Sequence, residues 1–481
     1  MAKGLIVHHG RYWAVAGVAL LAVIVMGIGS SALPWFFVVA GLLFLVLCAL
    51  IIRDPATGIV LIALALPFER IGAYEFGDMT IRISQIFLAV TTAAWAVYAA
   101  QKKQFHFAKN PALIPLGIFL AVNVFSLMNA VNLGRSLTIL GYIVFTAMLA
   151  FVIPNLVLTE RNMRRILAAL LIAFVAVSIF GLFQFLGDMT GLPPEVTGLR
   201  DLYSKDILGF TRVQSTAYEP LYFANYLLIP VSVLFAFFLV GTNVVRVGWL
   251  IALFGLGAVN LVLTVSRGGY LAMAAALFVV SIFFFKKLFT PRNVIILVAA
   301  IALVGWIVVQ TLSSSGELFT IEKFEAHVVN AFYGASYDER IVTFEQAYAA
   351  WRGHPVIGIG PGSFGPYAAP HPYYVPKDGW RIVNNEFIEV LAENGILGFT
   401  AFLALIAVLI VRSVRAVRLT PNTYLRALMV GLVAAFIGTI VQYQTFSTLY
   451  IVHVWFLIGL MVTCQNLIFR FHGTAGTQLD S

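Results

Sequence analysis

Long unbroken runs of apolar residues, separated by short polar links, fill most of the chain. They lie near 12–28, 35–52, 56–67, 84–100, 112–131, 137–157, 166–187, 221–240, 248–265, 269–285, 294–312, 395–411, 427–445 and 448–468. A membrane-crossing helix needs roughly 20 apolar residues, so the pattern predicts an all-α polytopic membrane protein with about 12–14 transmembrane helices. The third run is the shortest. The runs are continuous and not alternating, which argues against a transmembrane β-barrel.

Two links are too long to be simple connectors: 188–220 and 313–394. They divide the chain into N-terminal transmembrane helices (1–187), a first loop (188–220), central transmembrane helices (221–312), a large loop (313–394), and C-terminal transmembrane helices with a short tail (395–481). The large loop has helical periodicity of its own. Ser336-Tyr337-Asp338-Glu339 reads as a capping box, and Ile341, Phe344, Tyr348 and Trp351 then recur at spacings of three and four, predicting a helix over 337–352. The Gly-rich stretch 353–362 predicts a turn system. Residues 384–394 predict a short helix stopped by Gly395, with Glu386, Glu389 and Glu393 on one face. A packed, partly helical subdomain outside the membrane follows.

Composition narrows the class. Of 481 residues, 61% are hydrophobic and 11% charged, with a mean hydropathy of +0.95. Soluble domains carry about 25% charged residues. A soluble globular enzyme, a disordered chain and a disulfide scaffold are all excluded. Cys48 and Cys464 each sit inside an apolar run, where neither a disulfide nor a cysteine metal site is expected. The net charge of +9 could suggest nucleic acid, but its distribution gives another reason for it. With the N-terminus inside, the inner segments hold 18 Lys and Arg against three acids. That is the asymmetry that orients membrane proteins. Both termini are then expected in the cytoplasm, both long loops face the periplasm or exterior, and no nucleic-acid partner is expected.

The ionisable groups at the outer ends of the spans are candidates for chemistry. Arg267, in Ser266-Arg267-Gly268-Gly269, opens a span, and helix N-terminal amides beside a guanidinium suit a phosphate. Arg212 precedes another span, in a stretch that runs through Tyr218 and Glu219 to Pro220. Glu219 there is either a carboxylate favoured by the helix dipole or a catalytic one. Arg340, expected in the first turn of the loop helix, would oppose that dipole, which suggests an anion contact. Three such arginines suit a lipid-linked pyrophosphate. Trp380 and the loop tyrosines either stack on sugars or form the subdomain core. His354 and His371 lack any metal-ligand spacing, and no Walker or dinucleotide pattern occurs. Neither a metal nor a cofactor is expected.

Five motifs in order carry a resemblance. They are Arg212 with 215–226; Leu263-Thr264-Val265-Ser266-Arg267-Gly268-Gly269; Arg340 with Trp351; His354 through Phe364; and Asn384-Asn385-Glu386-Phe387 running to Gly395-Ile396-Leu397-Gly398. Over about residues 200–410 this resembles the O-antigen ligase and O-antigen polymerase superfamily. The resemblance implies a GT-C-like, inverting, metal-independent glycosyltransferase of the bacterial inner membrane. Its donor would be a glycan on undecaprenyl pyrophosphate, held through Arg212, Arg267 and Arg340. Its acceptor would be a second lipid-linked glycan or lipid A–core. Membrane lipids, a flippase and a chain-length regulator complete the implied partners. Tyr218, His354 and Trp380 would contribute to the substrate loops.

Ligases of this family carry His-Asn, nine residues, then Gly-x-x-Gly. Here the spacing is kept but Asn384 replaces the His, and an amide is no general base. That favours a polysaccharide polymerase over an O-antigen ligase. Asn384 and Asn385 would then orient the acceptor hydroxyl, and Glu219 or Glu386 would take its proton. A transporter or flippase of the same lipid-linked glycan is the alternative from another class. Its usual internal repeats and mid-membrane polar sites are not evident here.

Overall fold

A computed structural model describes residues 35–70, 73–76, 79–102, 107–200, 211–241, 246–313, 335–376, 379–447 and 449–477. The expected span at 12–28 lies outside the described residues. In chain order the helices are α1 (Trp35–Arg53), α2 (Pro55–Ala65), α3 (Ile83–Lys102), α4 (Leu113–Ser126), α5 (Leu133–Ala147), α6 (Leu149–Leu156), α7 (Glu160–Met189) and α8 (Pro194–Thr197). Then follow α9 (Pro220–Val240), α10 (Val247–Leu263), α11 (Arg267–Phe283), α12 (Phe285–Leu288), α13 (Pro291–Ser313), α14 (Ala335–Gly353), α15 (Phe364–Ala368), α16 (Glu386–Leu419), α17 (Thr423–Gln442) and α18 (Val452–Thr477). Among the described residues seven helical stretches are long and apolar enough to cross a membrane, and five shorter apolar helices accompany them. The molecule is an all-α, multi-pass membrane protein.

Local chemistry accounts for several boundaries. Pro220 occupies the first turn of α9, where its missing N–H costs nothing. Thr159 caps α7 by accepting from Asn162 N–H. The run at 112–131 forms helix only to Ser126 and then a tight turn at Leu127–Asn129. The run at 137–157 becomes two helices meeting at Met148, with Pro154 inside the second. Helix α14 includes Ala335, so Ser336 lies within its first turn and not at its cap. Arg340 then falls in the second turn, and the expected conflict with the dipole weakens. A two-stranded hairpin, Tyr74–Phe76 with Met79–Ile81, was not visible in the apolar pattern.

Helices α9, α17 and α18 form the centre of the bundle. Of their apolar stretches 94%, 78% and 94% is buried inside the protein, as expected of helices apolar on every side. Helix α17 packs against both α9 and α11. The packing is close because α17 offers glycine: a Cβ on Gly431 would lie 2.7 Å from Val233 Cα.

Residues 335–394 pack around a hydrophobic cluster of their own. Their core is small and mostly aliphatic: Ala347, Ala350, Ile359, Phe364, Val383 and Ala392. Tyr348, Tyr367, Tyr373 and Tyr374 remain exposed, so these rings do not build that core. The predicted stop at Gly395 is a break, not an end. Gly395 (φ 61°, ψ −167°) separates an arm, 386–394, from the membrane-crossing part of α16.

Candidate functional site

Hydrogen bonds gather the candidate motifs at one end of the bundle. The Arg212 segment runs along the corner between α10 and α11. Val213 N–H donates to Leu263 O at 2.9 Å, and Arg212 Nε donates to Thr264 O at 3.4 Å. Gln184 of α7 clasps Ser215 through both N–H and carbonyl, and Thr216 Oγ1 donates to Pro67 O. Arg212 is thereby within electrostatic reach of Tyr270, one turn along α11 from Arg267. Arg340 reaches the same place from the subdomain. Burial and the neighbouring Arg267 guanidinium hold Arg340 below the usual arginine range. Arg340 and Arg267 are therefore neighbours, and Arg212 is held at the corner that precedes Arg267.

The glycines beside Arg267 serve a different purpose from the one expected. Gly268 faces Thr445 and Gly269 faces Ala224, whose Cβ would lie 2.6 Å from a Cβ at 269. The groups that approach the backbone are protein side chains. Ser266 caps α11 by accepting from Gly269 N–H at 3.2 Å. Glu219 takes the N-cap position of α9, yet its side chain makes no capping bond. Tyr218 is exposed, edge-on to Tyr222 and beneath the Arg200 guanidinium.

The second half of the site lies under the arm of α16. Asn385 caps the arm, accepting from Phe387 and Ile388 N–H at 3.1 Å, and donates to Gln444 Oε1 at 3.2 Å. Glu386 N–H donates to Tyr443 O. Glu386, Glu389 and Glu393, expected on one face, do line one cavity of about 40 Å³ together with Arg135, Asn123, Ser447 and Tyr450. Glu393 is fully engaged: its two oxygens accept from Gly362 N–H at 2.7 Å and Phe364 N–H at 2.9 Å. Burial and the neighbouring Glu389 push its carboxyl up to about 8, against the two N–H contacts and Arg135, which favour the charged form. Arg135 Nε donates to Gly362 O at 2.9 Å, and its guanidinium lies over the Trp380 ring.

The Gly-rich stretch packs backbone to backbone against this arm. Ile359 and Gly360 N–H donate to Ala392 and Glu393 O, and Ile396 and Leu397 N–H donate to Pro355 and Val356 O. Gly358 and Gly360, at φ 73° and 97°, adopt the left-handed backbone this requires. His354 is exposed at the end of α14, where its carbonyl accepts from Gly358 N–H. It does not line the cavity.

The segment 443–447 joins the two halves. It contacts Gly268 on the arginine side and Asn385 on the carboxylate side. Thr343, one turn beyond Arg340, hydrogen-bonds Val383 O. Among the described residues, three non-glycine residues have positive φ: Ser215 (52°), Val265 (47°) and Asn384 (58°). Each belongs to one of the motifs. Backbone strain of this kind costs about 1–3 kcal/mol and gathers at functional sites. Two participants were missed from the sequence. Arg135 sits in a helix with no motif around it, and Tyr450 looks like one more apolar-run aromatic.

The fold and the site together define a multi-pass helical membrane protein whose cations and carboxylates meet at one end of the bundle. Residues 251–403 match the family model described as O-antigen ligase, so about a third of the chain is similar to that family. The match includes Arg267, Arg340, Asn384 and Asn385. A search of curated proteins finds no match.

Proposed function

We propose that this protein is a polysaccharide polymerase, joining undecaprenyl-pyrophosphate-linked repeat units at the external face of the inner membrane, with both termini cytoplasmic. The observation that carries the reading is the meeting of Arg267 and Arg340, contributed by elements far apart in sequence, with Arg212 fixed to the same corner. Like charges are costly to gather unless an anion is to be bound there, and guanidinium forks match phosphate oxygens.

In the proposed reaction a sugar hydroxyl attacks the anomeric carbon of the donor. The C–O bond to pyrophosphate breaks, and the leaving group takes the electron pair toward Arg212, Arg267 and Arg340. Each well-placed donor of this kind supplies about 3–4 kcal/mol to the transition state, so the chemistry needs no metal. Asn385 is committed to capping the arm, so its role is to hold Glu386 and its neighbours in place. Glu219 stands at the start of α9, on the arginine side, and the carboxylates of the arm line the cavity.

The polymerase reading over the ligase one rests on Asn384 in place of the family His. A strain lacking the gene separates the two. Loss of a polymerase leaves single repeat units on the acceptor lipid, whereas loss of a ligase leaves long chains on undecaprenyl pyrophosphate. Long unattached chains in the deletion strain would refute the proposal.

A further inference from the structure

Glycosyl transfer must dispose of a proton, and the residue that aligns with the family His cannot take it. Asn384 is an amide. Glu393 already spends both oxygens on the Gly362 and Phe364 N–H groups. Glu386 is buried in the first turn of the arm, only 3% exposed. Glu389 differs from both. It lies three residues after Glu386 on the same helical face and lines the same cavity. It is only partly buried. Its Oε2 accepts from Val383 N–H at 3.0 Å, which fixes the carboxylate immediately beside Asn384.

The cavity around it is small, with polar groups set among apolar walls. About 40 Å³ admits a few water-sized groups but no pyranose ring. A hydroxyl or hydroxymethyl fits. The groups facing Glu389 are Arg135 of α5, Glu386 and Glu393 of its own helix, and Ser447 and Tyr450 of the link between α17 and α18. Arg135 also lies over the Trp380 ring, 5.3 Å from its centroid. Carboxylate, guanidinium and indole in one place are the donors, acceptors and flat apolar face that a sugar requires.

We propose that this cavity is the acceptor subsite, where a hydroxyl of the incoming glycan enters and Glu389 receives its proton. The inference rests on the glycosyltransferase reading above. The acceptor O–H bond breaks with its proton passing to a Glu389 oxygen. The O–C1 bond forms, and the C1–O bond to pyrophosphate breaks with its electrons leaving on phosphate. Water in the cavity then takes the proton. Burial, ahead of the opposing contacts from Val383 N–H, Ser447 and Arg135, raises the Glu389 carboxyl above its ordinary range, toward the working pH of a base.

The test uses the full chain in proteoliposomes with an undecaprenyl-pyrophosphate-linked oligosaccharide, assayed for polymer from pH 5 to 9. The wild-type rate should rise with pH as Glu389 loses its proton. Glu389→Gln should transfer at least about 100-fold more slowly and lose that rise, while undecaprenyl pyrophosphate still protects it against thermal unfolding. Where Glu389→Gln does not fold, Glu389→Asp decides: a displaced pH limb supports the proposal, and an unchanged limb overturns it. A Glu389→Gln rate within about threefold of wild type, with the same profile, also overturns it. A wild-type protein that consumes no lipid-linked glycan would instead refute the glycosyltransferase reading itself.

Discussion

Gly395→Ala is the substitution whose consequence the geometry fixes most tightly. Gly395 adopts φ 61° and ψ −167°, a region open essentially to glycine alone, and a side chain there costs about 1–3 kcal/mol. The new Cβ would also meet backbone: the Val356 carbonyl, and Ile357 N at 2.6 Å. Backbone cannot rotate aside as a side chain can. Relief requires the Gly-rich stretch to move off the arm, which breaks the bonds from Ile396 to Pro355 and from Leu397 to Val356, each contributing about 1 kcal/mol. The expected loss is about 3–5 kcal/mol, from strain and the two bonds together. In detergent the melting temperature should fall by several degrees, and the 353–362 stretch should become open to limited proteolysis. Gly141→Ala is the control, since a Cβ there meets nothing within 4 Å. A Gly395→Ala protein with unchanged melting and cleavage would refute the account of the arm.

Three other outcomes are expected. Arg340→Ala should lower transfer about 100-fold with little change in melting, read as polymer yield from lipid-linked donor; unchanged yield would remove Arg340 from the site. Asn384→Gly should keep full stability, because glycine accepts φ 58°, whereas Asn384→Val should cost about 1–3 kcal/mol as a β-branched residue in left-handed backbone. His453→Leu should destabilise the bundle by about 3–5 kcal/mol, because it strips a buried network of its centre. His453 Nε2 pairs with Asn225 Oδ1 at 2.6 Å, its Nδ1 lies 3.3 Å from Glu69, and Asn225 donates to Gln442. Melting of the purified protein measures both effects on stability.

Most of the described spans were legible because burial in lipid demands unbroken apolar runs, and because caps and glycines leave local marks. Pro220 and the acidic face of 386–393 behave as their spacing suggests, and Gly395 marks a break in its helix where an end was expected. What could not be read was any relation between distant elements. Arg135 is a lone cation in the first turn of a membrane helix, and nothing nearby indicates that Gly362 and Trp380 will meet it. Val265, a β-branched residue at φ 47°, contradicts its own propensity, so no local rule could place it. His354 misled for the opposite reason. It stands next to the glycines that shape the site, yet its part is a backbone carbonyl in a turn.

The strain at Val265 and Asn384 makes physical sense once the two halves of the site are considered together. Well-anchored backbone joins the arginine side to the carboxylate side. The 443–447 segment is wedged between Gly268 and Asn385, while Val383 is tied to Thr343 on one side and Glu389 on the other. Asn384 turns the chain through left-handed backbone between those anchors. On this argument the residue at 384 is chosen first for its backbone. Asparagine, like histidine, is among the few non-glycine types enriched in that conformation, so the family His can be replaced there without disturbing the turn, provided that another group takes the proton.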